Sequence, residues 1–256
     1  MFIHSTAIVH PKAILGENVE IGPYAIIGEN ANIGNNSKVM ANANIDGWTY
    51  IGENCQVFPG AIIGIEPQDI SYKGQRSYVR IGNNNIIREY VTIHRSKYEE
   101  GETRLGDNNY IMATAHIAHD CIIGNGVIIV NYSAVTGHVV IEDRAFISGM
   151  AGIHQFVRIG EMAMIGGMAK VTQDVPPYIT VDGYPAKPFG LNTVGLKRNN
   201  VPLEIRNVIK LAYKIIYHSG LNLSQAIEKI ENEIPKSREI NHFVEFIKKS
   251  DRGICK

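Results

Sequence analysis

Cysteine is scarce in this chain. Cys55, Cys121 and Cys255 are the only three in 256 residues, and they form neither a paired framework nor a Cys-x-x-Cys ligand motif. That excludes a disulfide scaffold and a thiolate zinc ribbon, and it points to reduced thiols in a cytoplasmic protein. Net charge is lacking too. Twenty-five basic and 25 acidic residues sum to +0, so no global field draws the chain to nucleic acid or to an anionic membrane. No run approaches the ~20 apolar residues of a membrane span. Met1-Phe2-Ile3-His4 shows neither the basic start nor the apolar stretch of a secretory signal. A composition 45% hydrophobic and 20% charged is that of an ordinary folded protein rather than a disordered one.

What the chain does have is a period of six. Every sixth residue from Ile3 to Val171 is Ile, Val or Leu at 26 of 29 positions, the exceptions being Asp69, Gln75 and Glu99. Such self-similarity is the mark of a repeat architecture. Two residues before each aliphatic the side chain is usually small, as in Ala25, Ala43, Cys55, Ala115, Cys121 and Ala145. Alternation along a strand puts these two positions on one face and the residue between them on the other. Glycine often follows the aliphatic, as in Gly16, Gly34, Gly106 and Gly124, which suits a corner needing unusual backbone angles. Each unit therefore reads as a short strand and a bend, and three units close a coil. Residues 18 apart then lie directly above one another at the ~4.8 Å strand spacing. Cys55 and Cys121 occupy the small inward position and are packing residues.

The ladder breaks twice, over 65–80 and 94–104, where Pro67, Gly74, Gly101 and many polar residues read as loops thrown out of the coil. Loops on a rigid scaffold commonly carry binding residues. The repeat occupies residues 1–175, a connecting segment follows over 176–200, and residues 201–256 carry helical patterning. Asn200 is a candidate cap with Pro202 in the first turn, Asn222 and Gln225 a capping pair, and Pro235-Ser237 the entry to a last helix. On the outside, Tyr110, Ile128, Phe146 and Met164 recur at 18-residue intervals, as do Ile122 and Val140. An outer apolar stripe marks an interface between copies or a groove for an apolar ligand.

The densest chemistry is Ala115-His116-Ile117-Ala118-His119-Asp120. Ala115 and Ile117 face inward, so His116 and His119 face out or sit on the corner and are not core histidines. Three readings compete: a solvated pair, a His-x-x-His metal site for which no clear partner set is found, and a general base His119 oriented by Asp120. One coil above His119 lies Gly137, whose N–H is a candidate oxyanion donor and whose missing side chain admits substrate to the backbone.

The six-residue repeat resembles that of the left-handed parallel β-helix acyltransferases. The run Ile111–Cys121, Gly137-His138, Gly152-Ile153-His154-Gln155-Phe156, Gln173–Tyr178 and Gly195-Leu196-Lys197-Arg198 together look like the UDP-N-acetylglucosamine O-acyltransferase family of lipid A biosynthesis. The resemblance, nearly end to end, implies a mainly β fold, a left-handed parallel β-helix with a C-terminal α-helical domain. That handedness runs against the general right-handed crossover rule, and a six-residue period does not by itself dictate it. The resemblance also implies a cytoplasmic homotrimer that moves a 3-hydroxyacyl chain from acyl carrier protein to the 3-hydroxyl of UDP-N-acetylglucosamine, with no metal and no diffusible cofactor. His119 would be the base, Asp120 its orienter and Gly137 the oxyanion donor. His116, His138, His154 and Gln155 would contact donor or acceptor, Gln68 and Asp69 the nucleotide sugar, and Arg198 its phosphates. Gly167 matches the position that limits acyl length, and its small size implies a longer chain. Arg158 and Lys170, outward on the later coils, are candidates for meeting the acidic carrier.

The chain also departs from the family. Pro67-Gln68-Asp69-Ile70-Ser71 stands where many members have Asn-Gln-Asp-Leu-Lys, so a substrate-contacting lysine is missing, and Val194 and Asn199 replace residues that are often acidic and basic. These changes bear on the nucleotide contacts and on whether the acceptor is a hydroxyl or an amine. N-acylation of a 3-amino UDP-sugar is thus the nearest alternative, with a metal-dependent β-helix hydratase or a silent scaffold further off.

Overall fold

The computed structural model describes residues 1–256. Two-residue rungs, beginning with Phe2–Ile3, Ile8–Val9 and Ile14–Leu15, stack into three flat parallel sheets that form the sides of a triangular coil. Phe2 pairs with Glu20, Ile8 with Ile26 and Ile14 with Asn32, each 18 residues on. The inward Ile and Val side chains and the Ala, Ser and Cys two residues earlier fill one continuous core. Ile21, Ile45, Ile63, Ile87, Ile111 and Ile129 are fully buried in it.

The period of six survives both breaks, but the coil length does not. Gln56 pairs with Ile86 and Ile86 with Tyr110, so coils that contain a break run 30 and 24 residues instead of 18. The outer column of the first face is therefore Gln56, Ile86, Tyr110, Ile128, Phe146 and Met164. Ile86 extends the apolar stripe one coil below the residues that a fixed 18-residue step identifies.

The glycines after the aliphatics work differently from the expectation. It is the residue two places further on, such as Asn18, Asn36, Asn54, Asn84 and Asn108, that takes the left-handed conformation, with φ of 55 to 60°. Asparagine tolerates that region better than most side chains. The glycines instead permit close approach of successive coils: a Cβ on Gly34 would lie 2.6 Å from the carbonyl carbon and 2.7 Å from the oxygen of Gly52.

Past Val171 the chain caps the coil. Ile179–Asp182 adds to the first face, and Lys187–Leu191 pairs with it antiparallel, a hairpin inside what the sequence presents as a connecting segment. Four helices follow: α1 (Thr193–Arg198), α2 (Leu203–His218), α3 (Leu223–Glu233) and α4 (Arg238–Lys248). Asn200 caps nothing. It sits at φ 57° between α1 and α2, and Pro202 holds the cap position of α2 without a side-chain bond. Asn222 and Gln225 form the reciprocal capping box of α3, and Ser237 caps α4 through Ile240 N. The tail is tied to the coil by Arg158, which donates to Lys249 O at 3.0 Å and lies over the Phe246 ring. His242 adds a 2.7 Å contact to Glu142. Arg158 is thus a tie between coil and tail.

The two kinds of glycine give a paired expectation. Gly34→Ala forces backbone apart and lowers the denaturation midpoint, whereas Gly152→Ala, whose Cβ meets nothing within 4 Å, leaves it unchanged. Equal midpoints in chemical denaturation would contradict the close-approach account.

Candidate functional site

Both breaks leave the coil at the same place. The first, between Ile62–Ile65 and Tyr78–Ile81, and the second, between Thr92–His94 and Glu102–Leu105, emerge at the corner joining the second face to the third. His119 and Asp120 turn that same corner one coil above the second break. The loops fold over them. His119 sits on the corner, one of the two places the repeat leaves for it, and it is only 4% exposed.

The corner conformation brings the pair together. Asp120 takes the left-handed conformation at φ 61°, which sets its carboxylate beside the preceding ring, and Oδ2 lies 2.7 Å from His119 Nδ1. Ser96 Oγ donates to Oδ1, Lys97 N donates to Oδ2 at 3.3 Å, and Thr103 Oγ1 accepts from Asp120 N at 2.7 Å. Burial alone would raise the Asp120 carboxyl. The bonds from His119, Ser96 and Lys97 outweigh it and hold the group below the ordinary carboxylate range. An ionised Asp120 keeps the proton of a neutral His119 on Nδ1 and leaves Nε2 free to accept.

Gly137 stacks against this ring. A Cβ there would lie 2.6 Å from Cε1 and 2.7 Å from Nε2 of His119, and His138 N donates to His119 O at 3.1 Å. The Gly137 N–H itself has no acceptor within the protein. Above it, His138 stacks face to face on Phe156 at 4.5 Å and meets His119 edge-on at 5.2 Å. Burial depresses His138. His116 bonds Thr92 Oγ1 through Nδ1 at 2.7 Å, and burial, then the neighbouring His119, lowers it as well.

Asp69 arrives from the first loop. Ser71 Oγ, Lys97 Nζ and Ser71 N, at 2.6, 2.9 and 2.8 Å, hold its carboxyl well below the usual range. Its Oδ2 stands 3.7 Å from His119 Nε2, too far for a hydrogen bond. Gln68 beside it is exposed. His154 and Gln155 lie exposed at the top of the same corner, where the Arg252 guanidinium reaches back to Gln155 O. Gly167 lies on the opposite edge of the second face. A Cβ there would meet only Gly149 O, at 3.6 Å, so the position is open. Between the two edges runs a trough of about 340 Å³ lined by Thr136, Met150, Gly152, Met168 and Tyr184.

Arg198 is not brought to this corner. It ends α1 and lines a larger cleft, about 520 Å³, on the first face with Ile128, Arg144, Phe146, Met164 and Asn199. The candidate residues therefore fall at two separate places on one chain. His119, Asp120 and His138 each offer one ligand atom within 4.8 Å of the others, a set that could hold a metal ion.

Sequence reading missed His94, Ser96, Lys97 and Phe156. The phase of the repeat carries a signal for the first three: each break follows a second-face aliphatic, Ile63 or Ile93, as His119 follows Ile117, so loops and hexad share a corner.

The sequence also matches known families. The family model described as Udp N-acetylglucosamine O-acyltransferase; Domain 2 matches residues 174–255, and that of the bacterial transferase hexapeptide (six repeats) matches 102–137. An acyl-[acyl-carrier-protein]--UDP-N-acetylglucosamine O-acyltransferase of Thermodesulfovibrio yellowstonii is 52% identical over 99% of both chains. Another, of Halorhodospira halophila, is 46% identical over 99% of both. Among solved structures, a UDP-N-acetylglucosamine acyltransferase from Bacteroides fragilis superimposes with a TM-score of 0.98 at 46% identity, covering 100% of both chains. Agreement this close carries the handedness with it, and the coil is a left-handed parallel β-helix.

His94 supplies a pH-dependent expectation. It is 2% exposed, and burial, then His116, depresses it from 6.5 to about 4. Between those values the unfolded chain binds a proton that the folded chain does not, so stability rises with pH from about 4 to 6.5 and is lost on acidification. His94→Gln lacks that contribution. Its denaturation midpoint falls less steeply than that of the unaltered protein between pH 6.5 and 4, and parallel slopes would contradict the neutral buried imidazole.

Proposed function

The chain belongs to the UDP-N-acetylglucosamine O-acyltransferase family, and we propose that it transfers a 3-hydroxyacyl chain from acyl carrier protein to the 3-hydroxyl of UDP-N-acetylglucosamine, the first step of lipid A biosynthesis. The observation that carries the mechanism is the stacking of Gly137 on His119, with the glycine N–H free. His119 Nε2 takes the proton of the 3-hydroxyl as its oxygen attacks the thioester carbonyl. The oxyanion of the tetrahedral intermediate forms against Gly137 N–H, a fixed donor whose full value appears only as that charge develops. Collapse breaks the carbon–sulfur bond, and the departing thiolate recovers the proton from the imidazolium. Asp120 stays ionised throughout, holding the tautomer and stabilising the imidazolium.

Gln68 and Asp69 bind the acceptor sugar beside His119, with Asp69 Oδ2 3.7 Å from the Nε2 that takes the 3-hydroxyl proton. His116 and His138 line the space beside it, while His154 and Gln155 meet the donor. The acyl chain follows the trough toward Gly167, where each buried methylene contributes about 0.8 kcal/mol, and the open glycine admits a longer chain.

Arg198 holds the nucleotide phosphates from a second copy. The two half-sites lie on different sides of one chain, and the apolar stripe of Ile86, Tyr110, Ile128, Phe146 and Met164 runs beside the Arg198 cleft. Packing that face of one copy against the His119 corner of the next is a head-to-tail contact that closes as a ring, and a homotrimer is the assembly we assign. Three buried, unpaired cysteines accord with a cytoplasmic location.

Purified protein, given acyl-carrier-protein thioesters of several lengths, is expected to acylate UDP-N-acetylglucosamine in preference to its 3-amino analogue. His119→Ala is expected to lower the rate by about 10² to 10⁴. Preference for the amine would favour N-acylation, stoichiometric zinc in the active protein would favour the hydratase, and an undiminished His119→Ala rate would remove the general base.

A further inference from the structure

The first loop lacks a cation at position 71, where Ser71 instead bonds Asp69 Oδ1 through both Oγ and N, at 2.6 and 2.8 Å. The second loop supplies one. Lys97 Nζ lies 2.9 Å from Asp69 Oδ2, the oxygen that stands 3.7 Å from His119 Nε2. The Lys97 backbone is held in the same cluster, since its N–H donates to Asp120 Oδ2 at 3.3 Å while the neighbouring Ser96 Oγ bonds Asp120 Oδ1. The ammonium also lies 5.3 Å from the centre of the Tyr98 ring, and Tyr98 in turn borders His138 at 5.7 Å. Arg95, two residues earlier, is turned away: it bonds Gly64 O and the Tyr72 hydroxyl.

We infer that Lys97 is an acceptor-binding residue of the transferase, the second loop providing an ammonium beside Asp69 where the first loop has Ser71. Three features support this. The ammonium is anchored at both ends, by the carboxylate of Asp69 and by a main chain pinned to Asp120, so little ordering is required when substrate binds. Its side chain is 21% exposed, enough to face a ligand from inside a largely desolvated cleft, where a charge-assisted hydrogen bond is worth most. An ammonium carries three donors and Asp69 takes one, which leaves the others for oxygens of the sugar nucleotide. The pair recognises a polyhydroxylated ring from two directions, Asp69 accepting from hydroxyls and Lys97 donating to oxygens.

This inference rests on the acyltransferase reading, and the experiment separates the two. With 3-hydroxyacyl carrier protein and UDP-N-acetylglucosamine as substrates, Lys97→Met is expected to raise KM for the sugar nucleotide about ten-fold or more. It should leave KM for the acylated carrier unchanged and lower kcat by a smaller factor. Returning a lysine to the first loop, in Ser71→Lys/Lys97→Met, is expected to recover most of the lost affinity, a readout that a merely structural lysine would not give. An unaltered protein that fails to acylate the sugar nucleotide sinks the acyltransferase reading itself. An active protein whose Lys97→Met variant keeps its sugar KM, loses affinity for the carrier instead, or is not rescued by Ser71→Lys overturns the role of Lys97 alone.

Discussion

The hydrogen-bonded stacking of two-residue rungs, coil upon coil, is the constraint from which everything else in this molecule follows. Each rung spends its backbone donors and acceptors on the coils below and above, as when His116 N bonds Ser133 O and Ala134 N bonds Ala151 O. Side chains one coil apart are thereby held at the strand spacing whatever their identity. A core of Ile, Val and small residues makes the stack rigid, and the outside is free to carry chemistry at fixed heights. His119, Gly137 and Gln155 form one such column, and Tyr110, Ile128, Phe146 and Met164 another.

The corner joining the second and third faces turns this regularity into a site. Most corners carry a left-handed residue, and at this one Asp120, His138 and Phe156 all occupy that position, with φ of 61 to 64°. A conformation demanded by the coil thus points three functional or aromatic side chains outward in line. Insertions are tolerated only where the chain leaves the ladder and can return to it in register. The two breaks do so at this corner, and their Asp69, Ser96 and Lys97 close around His119 and Asp120. The surrounding hydrogen bonds then keep Asp120 ionised against its burial, while burial keeps the flanking His94, His116 and His138 neutral near pH 7.

The fold was legible because a period of six leaves an aliphatic at nearly every turn, and the vertical neighbours of the later coils follow by adding 18. Legibility failed where that step changed, so Ile86 was skipped. It failed again where the reason for a residue was tertiary, as with the glycines, which answer to the coil above rather than to their own backbone angles. His119 turns a corner, one of the two places the repeat leaves for it, but its cover was not legible, because loops without periodicity reveal nothing of where they fold back. The hairpin after Val171 and the six-residue α1 were missed for a related reason. Neither is long enough to show a period, and α1 depends on Asn192 capping Gly195.

The central claim, that Gly137 must be glycine because the base and the oxyanion donor share one small space, is tested most directly by the kcat of Gly137→Ala with saturating UDP-N-acetylglucosamine. A methyl group 2.6 Å from His119 Cε1 has to displace the ring, and a misplacement of this kind is expected to cost about 10²-fold in kcat while the protein remains folded. A Gly137→Ala enzyme that turns over at the unaltered rate would contradict the account.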